Sequence, residues 1–147
     1  MSALRELYQQ VIIDHGRHPR NLGELPGASH TKEGFNPLCG DKLKLFLLLD
    51  KNVIKEAKFQ GSGCAISMAS ASLMLETLHG KTVTEAEDFF TLFHDLVMGK
   101  SETSDALGKL AVLGGVAEFP ARVKCATLAW HTLKAALAQD AAPVTTE

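Results

Sequence analysis

The residues best equipped for chemistry in this 147-residue chain are its three cysteines, Cys39, Cys64 and Cys125. Cys39 lies in Asn36-Pro37-Leu38-Cys39-Gly40-Asp41, a turn ahead of a strand. In extended chain, side chains two residues apart lean to the same face, so Cys39 and Asp41 could grip one ion. A thiolate with a carboxylate suits Zn²⁺, which accepts sulfur, nitrogen and oxygen ligands. Cys64 lies in Gly61-Ser62-Gly63-Cys64-Ala65, where a strand hands over to a helix. The free N–H groups at a helix start favour an anion, which would make Cys64 a better nucleophile and ligand. Cys125 follows Arg122 and Lys124, cations that favour its thiolate. Three thiols and one carboxylate make a four-coordinate set, but no pair has the C-x-x-C spacing of a zinc ribbon. The residues alone also allow a plainer arrangement, with Cys64 and Cys125 as core thiols and Gly40-Asp41 as an ordinary turn.

The six histidines, His15, His18, His30, His79, His94 and His131, lie outside these blocks. His79 beside Gly80 reads as the end of a helix, and His94 sits on a Phe-rich helix. His131 is six positions beyond Cys125, nearly opposite it around a helix of about 100° per residue. None is expected to ligate.

The elements that must position the cysteines follow from periodicity. Ser2 is placed to cap a first helix carrying Leu4, Leu7, Tyr8, Val11 and Ile12, fraying at Asp14 to Gly16. Pro19 then enforces a loop, with a short strand expected near His30 to Glu33. Leucines alternate from Leu43 to Leu49, Asp50-Lys51-Asn52 makes a turn, and Val53 to Gln60 returns, so an antiparallel hairpin is predicted. A helix of small residues should run from Cys64 to His79 and stop at Gly80. Thr84 and Glu87 have the spacing of a capping box for the next helix, which ends near Gly99. A short helix is expected around Leu107 to Leu113, and a last one from Pro120 to about Gln139. The fold class is therefore α+β: a small antiparallel sheet of about three strands with helices packed on one face. Residues 1–139 read as a single domain and 140–147 as a flexible C-terminal tail.

Composition narrows the setting. Lys+Arg 15 against Asp+Glu 17 leaves a net charge of -2, so no nucleic-acid footprint is present. The longest apolar run, Leu45 to Leu49, is far short of the ~20 residues of a membrane span. The first residues do not read as a signal peptide, and an odd cysteine count fits a reducing compartment, so a cytoplasmic location is expected.

The motifs carry more. Asn36-Pro37-Leu38-Cys39-Gly40-Asp41, Phe59-Gln60-Gly61-Ser62-Gly63-Cys64-Ala65-Ile66-Ser67-Met68-Ala69-Ser70-Ala71-Ser72-Leu73-Met74 and Arg122-Val123-Lys124-Cys125-Ala126-Thr127-Leu128-Ala129-Trp130 strongly resemble the SufU/IscU family of iron–sulfur cluster assembly proteins, also called NifU N-terminal-like. Tyr8, Val11, Ile12, Asp14 and His15, with Pro19-Arg20-Asn21 and Gly23, are similar to that family's opening signature. Where the IscU branch has a histidine before the last cysteine, this chain has Lys124, a poor ligand while protonated. The longer stretch between Cys64 and Cys125, with Gly99 to Glu118 as the inserted part, also resembles the zinc-binding SufU branch.

That resemblance implies a zinc site made of Cys39, Asp41, Cys64 and Cys125. It further implies a zinc-dependent sulfur acceptor and carrier in iron–sulfur cluster biogenesis, sulfurtransferase-like rather than a stand-alone enzyme. A PLP-dependent, SufS-like cysteine desulfurase would supply persulfide sulfur to Cys39, and a downstream Fe–S scaffold or acceptor would receive it. Arg122 is the residue expected to contact the desulfurase. The alternative is a scaffold that assembles a transient [2Fe–2S] cluster on the same cysteines, since thiolates bind both metals. Neither nucleic acid nor membrane is an expected partner.

Overall fold

Lysine and leucine alternate from Lys42, and the chain there forms a strand, as the period of two requires. A computed structural model describes residues 3–37, 39–100, 105–138 and 144–145. β2 (Asp41–Asp50) is central, antiparallel on one side to β1 (His30–Asn36) and on the other to β3 (Val53–Ser62). Leu43, Leu45 and Leu47 face inward while Lys42 and Lys44 face out. Lys51 and Asn52 both adopt positive φ, the conformation that joins twisted strands through two residues. The short strand expected near His30 extends to Asn36, because its pairing continues until Asn36 stands opposite Asp41.

The open edge of β3 is covered. Phe59 exchanges backbone hydrogen bonds with Asn21 and Gly23, and Ile54 does so with Gly80 and Lys81. Such cover removes a template for pairing with other chains. On the far side, β4 (Val144–Thr145) runs parallel to β1, giving the order β3-β2-β1-β4. It falls in the stretch read as a tail, whose remaining residues lie outside the described ones.

Helices cover the inner face of the sheet. They are α1 (Ala3–Arg17), α2 (Ala65–Leu78), α3 (Val83–Val97), a 3-10 segment (Asp105–Glu118) and α4 (Pro120–Leu137). Their apolar faces meet Leu45, Leu47 and Phe59, with Leu73, Phe93 and Trp130 fully buried among them. Phe93 stacks on Trp130 with ring centroids 4.8 Å apart. The small residues of α2 allow close approach to α4: Ser70 Oγ donates to the Ala126 carbonyl at 2.5 Å. Among the described residues no helix is long and apolar enough to cross a membrane.

Several boundaries differ from the sequence reading. The capping box is Thr82 with Glu85, not Thr84 with Glu87: Thr82 Oγ1 accepts the Glu85 N–H and Glu85 Oε1 accepts the Thr82 N–H. Both pairs have the right spacing, but Val83 is bonded to Asn52 and Thr82 bridges Val53, so the helix starts as soon as the chain leaves the sheet edge. α1 does not fray at Asp14 but continues to Arg17, held there by packing of its last turn on α2. The segment around Leu107 to Leu113 is a longer 3-10 stretch broken at Gly108, where φ is 54°. The Ser2 cap lies outside the described residues.

Candidate metal centre

The first two donors come from the hairpin between β1 and β2. Asn36 and Asp41 are direct cross-strand partners, so residues 37–40 form the connecting loop. Gly40 takes φ 72° there, a conformation costly for any residue with a Cβ. The loop places Cys39 half-buried at its tip, while Asp41 turns inward and is 1% exposed.

Where β3 passes to α2, two glycines permit an approach no side chain would allow. A Cβ on Gly61 would strike the Lys42 carbonyl, and one on Gly63 would strike the Asp41 carboxylate. The backbone N–H of Cys64 is thereby brought to Asp41 Oδ1 at 3.0 Å. Cys64 is the N-cap of α2, and its Sγ accepts the Ser67 N–H at 3.4 Å. The expected strand-to-helix handover is what the chain does here.

Cys125 arrives from the buried face of α4. Its Sγ lies 3.1 Å from Cys39 Sγ and accepts an N–H of Asn36 Nδ2 at 3.4 Å. Arg122 is one turn earlier and exposed, and the three nearby thiols, Cys125 first, hold its guanidinium proton above the ordinary value. The expectation that neighbouring cations would favour the Cys125 thiolate is outweighed. Burial pushes the Cys125 thiol well up, and its bonds to Cys39 and Cys64 push it further.

Cys39, Asp41 and Cys125 each offer a ligand atom, and all three atoms lie within 4.8 Å of one another. The β1–β2 hairpin and α4 therefore converge on one point. Two sulfurs and a carboxylate oxygen in a mostly buried pocket match the donor types Zn²⁺ takes, so the residues fit such an ion. Cys64 is not in that group of three, although its backbone N–H bonds the Asp41 carboxylate. No histidine joins the group among the described residues. His15 is buried instead against Ser72, with Nδ1 2.7 Å from Oγ, and His94 and His131 lie with Phe90 in an aromatic cluster away from the thiols. Asn36 was quoted in the sequence only as part of a motif, yet it is completely buried and bonded to two of the three donors. Its signal was the spacing to Asp41, which closes a four-residue loop and sets the two side chains face to face.

Comparison with known proteins agrees with the geometry. The chain is 44% identical over 138 residues to the zinc-dependent sulfurtransferase SufU of Bacillus subtilis, covering 93% of each. It is 39% identical to the iron–sulfur cluster assembly scaffold protein IscU of Streptococcus pyogenes, covering 96% of this chain and 89% of that one. Its structure superposes on the crystal structure of FiSufU from Fervidobacterium islandicum AW-1 with a TM-score of 0.84 at 36% identity, covering 90% of this chain and 98% of that one. The NifU-like N-terminal domain model matches residues 7–141, which takes in β1, β2 and β3, most of α1, all of α2, α3 and α4, and the three cysteine blocks, and the chain belongs to that family.

Proposed function

We propose that the chain is a zinc-dependent sulfur carrier in iron–sulfur cluster biogenesis, receiving persulfide sulfur from a cysteine desulfurase. The observation that carries this reading is the convergence of Cys39, Asp41 and Cys125 within 4.8 Å of one another. The likeness to a zinc-dependent sulfurtransferase supports it. In this reading Cys39, Asp41, Cys64 and Cys125 hold the metal, Cys64 joining by giving up its bond from the Ser67 N–H. When bound, zinc keeps the thiols deprotonated at neutral pH.

Cys39 is the sulfur acceptor on this reading. It is the donor on a loop, whereas Cys125 is buried in a helix and Cys64 caps one. A loop residue can leave the site and meet a partner with less disturbance of the core. The Cys39 thiolate attacks the outer sulfur of the desulfurase persulfide, and a new S–S bond forms on Cys39. The old S–S bond breaks, its electron pair leaves on the desulfurase cysteine, and the proton on the transferred sulfur stays with it. Arg122, exposed beside the thiols, is placed to meet the incoming partner and balance the charge of the freed thiolate.

The test is metal analysis of anaerobically purified protein together with desulfurase turnover for each Cys→Ala variant. One zinc per chain and turnover lost with Cys39→Ala are expected. A brown chromophore with labile sulfide would instead favour a [2Fe–2S] scaffold, a reading supported by the likeness to IscU. Lys124 weighs against the scaffold, because it stands where that branch has a histidine able to ligate. Zinc without sulfur uptake would overturn carriage and leave a structural site.

A further inference from the structure

We propose that Asn36 is a positioning residue for the metal centre, its side-chain amide fixing Asp41 and Cys125 in the arrangement that receives the metal. The proposal deepens the reading above and rests on it. Asn36 ends β1 directly across from Asp41 and is wholly buried. One Nδ2 carries both contacts, to Asp41 Oδ2 at 3.1 Å and to Cys125 Sγ at 3.4 Å. An amide nitrogen has two hydrogens, and both are spent on these donors. Asn36 thus ties the hairpin to α4 at the one place where their ligating side chains meet.

The carbonyl end of the same amide shows what the arrangement is for. Asn36 Oδ1 is buried with no hydrogen-bond partner. A buried unpaired acceptor weakens a fold, so a residue chosen for stability alone would not leave one here. Turning the amide over would set Oδ1 against the Asp41 carboxylate, two acceptors facing each other. The orientation is therefore dictated by the donors it serves. Groups that orient ligands in this way raise affinity without touching the ion. An N–H directed at a sulfur also draws electron density from it, so the bond should remain visible in the spectrum of the loaded site.

Asn36→Leu keeps the approximate size and removes both N–H groups. Asn36→Ser, smaller and with one short donor, covers the case in which leucine does not fit. Zinc affinity is measured by competition with a chromophoric chelator. Cobalt(II) is then loaded in place of zinc, and the sulfur-to-cobalt charge-transfer band is recorded. The proposal expects zinc to bind about 10- to 100-fold more weakly in Asn36→Leu, less so in Asn36→Ser. The band should move to longer wavelength in both, as a sulfur lacking its N–H partner gives up an electron more easily. Affinity within about twofold of the wild type, or weaker binding with an unmoved band, would overturn the proposal. Wild-type protein that takes up no stoichiometric metal would overturn the reading of the site itself, a result distinct from a mutant that matches the wild type.

Discussion

Asp41 carries two duties in one carboxylate. Oδ1 accepts the Cys64 N–H and Oδ2 accepts from Asn36, so the side chain organises the site before any ion arrives. As a ligand it adds a hard oxygen and one negative charge to an otherwise sulfur site. Asp41→Ala should therefore do two things. It leaves the Cys64 N–H and one of the two Asn36 side-chain N–H groups without a partner, lowering metal-free stability by about 2 kcal/mol. It also weakens zinc binding without abolishing it, since three thiols remain, and depresses sulfur uptake more than binding because the site has lost its defined geometry. Melting temperature, zinc stoichiometry and desulfurase turnover on this single variant separate the two duties. A lowered melting temperature with full sulfur uptake would leave Asp41 a structural residue only.

At the scale of elements, the junction of α1 with α2 links stability to pH. His15 is 1% exposed, its Nδ1 2.7 Å from Ser72 Oγ, and Ser72 Oγ also accepts the Arg20 N–H at 2.8 Å. Gly16 packs against Ala65 just beyond Cys64, so this junction also sets the start of α2. Burial lowers the His15 pKa, and the charges of Arg20 and Lys109 lower it further against the opposing Glu76 and Asp14. Protonation is then harder in the folded chain than in the unfolded one. Between the lowered pKa and about 6.5 the unfolded state binds more protons, so this stability is complete above that pH and is lost as pH falls through the window. Metal-free protein should melt at lower temperature at pH 5 than at pH 7. His15→Gln should flatten that slope only partly, because burial also lowers His131. Asp14 and Glu85, both shifted downward from already acidic values, act below this window. An unchanged slope in His15→Gln would show that the junction does not carry the effect.

At the scale of the whole molecule, the proposed metal site adjoins a core whose packing should stand without the ion. Leu45, Leu47, Phe59, Leu73, Phe93 and Trp130 are all at most 1% exposed, and they join sheet to helices in one apolar cluster. Zinc bound there would add stability only through its affinity for the folded state, by linkage. Chelation should lower the melting temperature yet leave one cooperative transition, followed by the fluorescence of Trp130. A chelated sample with no cooperative melt would mean that the metal, rather than the core, holds the fold.

Local chemistry by itself determined much of this protein. The alternation from Lys42 to Leu49 dictated a strand and its inward face, Pro120 began a helix, and Gly80 ended one, because period, ring closure and φ act within a few residues. The cysteine blocks likewise announced the family. Which of two T-x-x-E pairs caps α3 was not legible, since the choice rests on hydrogen bonds from residues 80–83 to β3. Nor was the upward push on the Cys125 thiol: its neighbouring cations are local, but the burial that opposes them comes from tertiary packing. The amide of Asn36 gained its role only when α4 brought Cys125 beside a residue 89 positions earlier. Contacts across such separations depend on how layers stack, and only the tertiary structure decided them.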